Sequence, residues 1–162
     1  MIFFRFLLCV HNIFIVFLKS MKYETLDATL RAAWQTVSKM YNKEAQKFNS
    51  TMATGFALLS ITPEGTPSTA LGPKMGMEST SLSRLLKTME IRELIYRTPN
   101  PEDGRSVLIH LTPFGMQKRE DSKAVVLKFD QLIRDNIAPS KIETFFEVSR
   151  HIIKTAQEYK YY

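Results

Sequence analysis

The chain predicts a mainly α, α+β fold: a winged helix-turn-helix with N- and C-terminal dimerisation helices. Three observations carry this expectation. Residues 71–112 read as a helix, a Gly turn, a second helix and a two-stranded hairpin whose tip is Asn100-Pro101-Glu102-Asp103-Gly104-Arg105. Long stretches on both sides of this unit repeat their apolar residues at helical spacing. The last of these stretches carries more apolar surface than one terminal helix can bury alone.

The elements follow in order. From Tyr23 to Phe48, Leu26, Leu30, Ala33, Trp34, Val37, Met40, Tyr41, Ala45 and Phe48 form one stripe of a long amphipathic helix. A shorter helix capped by Ser50 or Thr51 runs through Met52, Phe56, Leu58 and Leu59 to about Ile61, and Thr62-Pro63-Glu64-Gly65 turns the chain. Thr66-Pro67 reads as an N-cap and first-turn pair opening a brief helix, because proline gives up only an amide without a helical partner. Pro73 lies far enough inside that helix to shorten or kink it, and Gly76 supplies the turn that follows.

Leu82, Leu85, Leu86 and Met89 then make the buried stripe of a helix over residues 78–92, leaving Ser79, Thr80, Ser83, Arg84, Lys87 and Thr88 on its other side. Leu94 to Arg97 is strand-like. Asp103-Gly104 marks the turn, and Val107, Ile109 and Leu111 alternate with Leu108 and His110 in the returning strand. Thr112-Pro113 repeats the cap-then-proline device and opens a helix with Val125, Val126, Phe129, Leu132 and Ile133 on its apolar side. Pro139 restarts the chain, and the last helix aligns Ile142, Phe145, Phe146, Ser149, Ile152, Ile153 and Ala156.

The sequence has 162 residues, 44% hydrophobic and 11% aromatic, which suits one domain with a core of its own. Its net charge is +6, and the largest share, +3, falls over residues 72–119, which hold eight Lys and Arg against five Asp and Glu. A surface that binds phosphate needs such an excess where the contact is made. Cys9 is the only cysteine, so no intrachain disulfide framework exists, and it reads as an incidental thiol.

Residues 1–20 form an apolar extension interrupted by Arg5, His11 and Asn12, a poor transmembrane helix, and no small-residue cleavage pattern follows Leu18. The expected domain therefore spans 21–162 with Met21 as its working first residue; a membrane or partner-binding helix and a cleaved targeting segment are the alternatives. Within the domain, residues 50–112 form the expected DNA-binding lobe, and 21–48 with 113–162 the dimerisation helices.

Two groups of residues point to chemistry. Small hydroxyl side chains at Ser79, Thr80 and Ser83 let a helix enter the major groove, where Arg84 can bridge the O6 and N7 acceptors of guanine and Lys87 meets phosphate. The hairpin turn Asp103-Gly104 brings Arg105 beside the flanking minor groove or backbone. The plainer alternatives are a solvated helix face and an Asp103–Arg105 ion pair that only stiffens the loop. Enzyme, metal and cofactor signatures are absent: His11, His110 and His151 are scattered, and no HExxH, GxSxG or phosphate-binding Gly loop occurs. His110 reads as a surface or satisfied histidine.

The run Leu71-Gly72-Pro73-Lys74-Met75-Gly76-Met77-Glu78-Ser79-Thr80-Ser81-Leu82-Ser83-Arg84-Leu85-Leu86, then Leu94-Ile95-Tyr96-Arg97, Asp103-Gly104-Arg105 and Leu111-Thr112-Pro113-Phe114-Gly115, resembles the multiple antibiotic resistance regulator (MarR) family. The likeness spans Met21 to about Tyr159. It implies a cytoplasmic homodimeric transcriptional regulator, a repressor, on a palindromic double-stranded operator, with Ser79, Thr80, Ser83 and Arg84 at groove-contacting positions and Arg105 on the wing. It also implies a small aromatic effector as a partner. Trp34, Tyr41, Phe56 and Phe114 either line the crevice for such an effector or pack in the core.

Two departures stand out. Glu93 replaces the Gly that usually ends the recognition helix, so the left-handed cap is expected to be missing, and Glu78 replaces the usual Ser or Thr cap. A winged helix that docks an acidic protein partner, and a membrane-tethered regulator, are the readings of other classes.

Overall fold

The computed structural model describes residues 25–159, so the extension before Met21 lies outside the described residues. The chain divides between Lys43 and Glu44 into two compact units. The first holds most of α1, Leu26–Gln46, which buries no residue and leaves Leu26, Leu30 and Trp34 exposed. Arg31 pairs with Asp27 one turn earlier on its surface.

The second unit carries α2 (Met52–Ser60), β1 (Thr66–Pro67), α3 (Ser68–Met75), α4 (Ser79–Ile91), β2 (Ile95–Pro99), β3 (Val107–Leu111), α5 (Pro113–Asn136) and α6 (Pro139–Glu158). Its three strands form an antiparallel sheet in the order β1-β3-β2. Register runs Ile95 to Leu111, Arg97 to Ile109 and Pro99 to Val107 on one side of β3, and Thr66 to Ile109 on the other.

One core joins α2, α3, α4 and the sheet: Ala57, Leu58, Ile61, Leu71, Met75, Leu82, Leu86, Met89, Leu94, Ile95 and Ile109. Leu85 is partly buried against it rather than inside. This cluster holds the expected apolar stripe of the 78–92 helix against the sheet, and that contact decides which side of α4 faces out.

The caps bear out the local reading at α2 and α5. Thr51 accepts a hydrogen bond from the Thr54 amide (3.2 Å), and Thr112 accepts one from the Gly115 amide (2.9 Å) with Pro113 in the first turn. Gly76 ends α3 at φ 61°, a left-handed conformation that glycine adopts without a Cβ clash.

Thr66-Pro67 departs from expectation, because it is a strand and not the start of a helix. Thr66 Oγ1 accepts the Thr62 amide hydrogen bond (2.9 Å) and so holds the preceding turn, while its backbone pairs beside fully buried Ile109. Pro67 is tolerated because β1 is an edge strand, where a missing amide costs no ladder bond, and α3 begins one residue later.

Glu93 is the second correction: the left-handed cap is present although the glycine is not. Glu93 has φ 56°, its amide donates to Glu90 O (2.9 Å), and the Leu94 amide donates to Met89 O (2.9 Å), the paired bonds of a Schellman ending. A left-handed conformation costs a non-glycine residue about 1–2 kcal/mol, partly offset because glycine loses more backbone entropy on folding. Glu93→Gly is therefore expected to stabilise the protein by about 0.5–1 kcal/mol, raising the melting temperature by roughly 2–3 °C. A lower melting temperature would show that the Glu93 side chain contributes more than its backbone strain costs.

The last two helices leave most of their apolar surface open. Only Gly115 is buried on α5 and only Ile142 on α6, while Phe145, Phe146 and Ile153 on the predicted stripe of α6 are exposed. Among the described residues no helix is long and apolar enough to cross a membrane.

Candidate nucleic-acid interface

Helical geometry sets the outward face of α4. With Leu82 and Leu86 in the core, a residue two places after Leu82 is rotated by about 200° and points away from it. Arg84 accordingly is exposed, together with Ser79, Thr80, Ser83 and Lys87. Thr88 is exposed too, but its hydroxyl donates to Arg84 O (3.0 Å) within the helix. Among the described residues no carboxylate pairs with Arg84 or Lys87, whereas Glu90, the acid in the last turn of α4, is held by Arg97 of β2 (3.1 Å). That ion pair removes one negative charge from the helix surface and ties the wing to it.

The wing is stiffened by side chains bonding to nearby backbone. Asn100 Oδ1 accepts from the Glu102 amide (3.0 Å), and Asn100 Nδ2 donates to Ser106 Oγ (2.8 Å). Asp103 Oδ1 accepts from the Arg105 amide (3.0 Å), while the Ser106 amide returns to Asp103 O (3.0 Å). Such Asx turns replace solvent bonds with local ones and narrow the loop's conformations. The Asp103 carboxylate thus binds the Arg105 backbone and not its guanidinium. Arg105 stays exposed, and Gly104 sits at a tip where even an added Cβ would meet nothing.

His110 is a satisfied histidine: its Nε2 lies 3.0 Å from Thr98 Oγ1, and its ring stacks on Tyr96 with centroids 5.0 Å apart. Both contacts cross from β3 to β2 and brace the wing. Among the described residues no group of His, Cys, Asp and Glu could hold a metal ion.

The end of α4 is joined to the start of α5 through Thr112. Its hydroxyl donates to Glu93 O (2.6 Å) and also accepts the Gly115 amide, and its own amide donates to Leu94 O (3.1 Å). Gly115 packs so closely on the Leu94 carbonyl that an added Cβ would sit 2.9 Å from the carbonyl carbon and closer still to its oxygen. The Leu-Thr-x-x-Gly run is therefore a weld between the end of α4 and α5.

The aromatic residues expected around an effector lie apart in the chain. Trp34 and Tyr41 are on α1 in the first unit, and Phe56 and Phe114 are in the second, where both are exposed. Sequence reasoning missed Lys118, which lies beside Phe114. Lys118 Nζ lies 5.6 Å from the Phe114 ring centroid and 5.5 Å from that of Phe48, and it donates to Asp121 Oδ2 (2.7 Å). The spacing of Phe114 and Lys118, one helical turn, was visible in the sequence; the approach of Phe48 was not. Further along α5, Arg134 Nε donates to Asp130 Oδ2 (2.7 Å), a bond that raises the guanidinium's pKa.

A family model described as MarR matches residues 57–107, which run from α2 through the wing to the first residue of β3. That segment, about a third of the chain, is therefore similar to the MarR family. Over 92 residues, 56% of its length, it is 35% identical to the organic hydroperoxide resistance transcriptional regulator of Bacillus subtilis (strain 168), and it spans 63% of that curated relative. Its fold is that of MepR from S. aureus, solved as a DNA complex, with a TM-score of 0.74 at 18% identity over 82% of this chain and 99% of that one. PcaV from Streptomyces coelicolor, solved with its natural ligand, superposes with a TM-score of 0.68 at 19% identity, covering 81% and 93%. The matched MarR segment contains α4 and the wing tip, the two features built above from geometry.

Proposed function

We propose that this chain is a MarR-type regulator of transcription, homodimeric and ligand-responsive, most simply a cytoplasmic repressor that occupies a palindromic operator. The observation that carries the reading is α4 itself: a core-anchored helix presenting three small hydroxyls, Arg84 and Lys87 outward, next to a rigid wing with Arg105 exposed. Arg84 reads a base edge, Ser79, Thr80 and Ser83 allow close approach to the groove floor, Lys87 meets phosphate, and Arg105 enters or flanks the minor groove. The MepR–DNA complex supports this use of the fold.

Dimerisation rests on the apolar faces at both chain ends. Leu26, Leu30 and Trp34 on α1, Leu132 and Ile133 on α5, and Phe145, Phe146 and Ile153 on α6 are exposed in one chain. In this reading residues 21–48 and 113–162 cover these faces with a second copy, and 50–112 form the DNA-binding lobe. A two-fold pair sets two recognition helices roughly 34 Å apart on one face of the duplex.

Ligand response follows from linkage. An effector that favours a different separation of the two helices weakens operator binding by the ratio of its affinities for the two states. PcaV with its natural ligand supports such a site in this fold. Within the second unit, Phe56 and Phe114 are the proposed aromatic contacts, with Lys118 beside Phe114 as a cation for an acidic aromatic.

The test is a gel shift of the purified full chain on duplex DNA from upstream of its own gene, against a random duplex of equal length. A shifted band that survives competition by random DNA, from a particle sedimenting as a dimer, is the expected result. Equal affinity for both duplexes would leave only non-specific phosphate binding and overturn the reading.

A further inference from the structure

We propose that Glu78 is a base-reading residue, its carboxylate accepting a hydrogen bond from the exocyclic amine of a cytosine at one position in each half-site. This rests on the DNA-binding role proposed above.

Glu78 is the N-cap residue of α4, and its side chain makes no capping hydrogen bond. Thr51 and Thr112 show what a capping side chain does in this protein, each accepting an amide three residues on. At α4 that stabilising contact is forgone. The Glu78 side chain is exposed, and among the described residues no hydrogen bond or ion pair holds its carboxylate. The other acid on α4, Glu90, is neutralised by Arg97. An unpaired carboxylate on a face otherwise made of hydroxyls and cations weakens attraction to phosphate, so a compensating contact has to come from elsewhere.

The first turn of a recognition helix is where side chains reach base edges. A carboxylate there only accepts. In the major groove the available donors are the N4 amine of cytosine and the N6 amine of adenine. Adenine sets its N7 acceptor beside that amine and repels a second acceptor, whereas cytosine offers the amine alone. The same geometry rejects guanine and thymine, which present acceptors at this edge. Glu78 therefore complements Arg84, one reading a donor and the other the paired acceptors of guanine.

The test is selection of duplexes from a random-sequence library by full-chain wild type and by Glu78→Gln, followed by titration of the selected duplex and its single-base variants. Wild type should select cytosine at one position per half-site. Glu78→Gln, whose amide matches adenine N6 and N7, should lose about tenfold affinity for the cytosine site and shift that position towards adenine. Its melting temperature should fall by no more than about 2–4 °C, because neither side chain caps and only the carboxylate's interaction with the helix dipole is lost. If both proteins select the same bases and the variant binds all duplexes more tightly by one common factor, Glu78 acts only through its charge and the proposal fails. If the wild type itself selects no motif, the DNA-binding reading fails instead, a separate outcome.

Discussion

Gly115→Ala is expected to destabilise the protein by about 3 kcal/mol or more, lowering its melting temperature by roughly 6–12 °C. The new methyl group would be built into the Leu94 carbonyl, and the atoms it meets are backbone. Backbone cannot rotate away as a side chain can, so either α5 tilts or the end of α4 shifts. Both are tied: Thr112 bonds Glu93 O and the Gly115 amide together, and Leu94 is in the core. Because α4 ends at this weld, the variant should also lose DNA affinity at temperatures where it remains folded. Gly55→Ala is the control. Its Cβ would stand 3.4 Å from Ser122 Oγ, an ordinary contact with a side chain, and its melting temperature should stay near that of wild type. Equal melting temperatures for the Gly115 variant and wild type would mean that the weld yields freely and does not set the position of α4.

Arg84→Ala should cost about 1–3 kcal/mol of binding free energy at one base pair per half-site, roughly tenfold to a hundredfold, with little loss on random DNA. The guanidinium is exposed, and among the described residues no carboxylate competes for it, so its bidentate donors are available to guanine. Lys87→Ala should behave differently, weakening operator and random duplex alike and reducing the slope of log affinity against log salt by about one. Titrations of both variants at several salt concentrations separate the two. Equal losses on operator and random DNA for both mutants would remove Arg84 from base recognition and leave it a phosphate contact.

How much of this was legible beforehand depends on the range of the interaction concerned. The helix over 78–92, the hydroxyl-rich outward side, the Asp103-Gly104 turn and the Thr112-Pro113 start were all readable because each depends on neighbours within about one helical turn or one hairpin. Leu82, Leu86 and Met89 declare the buried side, and the remaining residues of α4 then have only one direction to face. Arg84 and Lys87 were placed from that logic, and Arg105 from the Asp103-Gly104 turn.

Elsewhere long-range partners prevailed. Thr66-Pro67 carries a good helix-start signal, yet pairing with Ile109 and Leu108 draws it into the sheet. Glu93 lacks the glycine that favours a left-handed turn, yet the buried Leu94 and the bond from Thr112, 19 residues on, force the same turn at a cost in strain. The sequence offered Asp103 as an ion-pair partner for Arg105, but the closed hairpin brings the Arg105 amide to that carboxylate and leaves the guanidinium outside.

The sequence by itself determined the order of the helices and of the hairpin, the outward side chains of α4 and the chemistry of the wing, because periodicity and turn residues act locally. Only the tertiary structure decided that the sheet has a third strand, that α4 is welded to α5 at Leu94 and Gly115, that Lys118 approaches both Phe48 and Phe114, and that the Glu78 side chain makes no cap bond. These outcomes turn on whether a particular atom arrives within bonding distance. In a folded chain that is settled by the packing of distant segments, and the spacing of residues along the sequence carries little record of it.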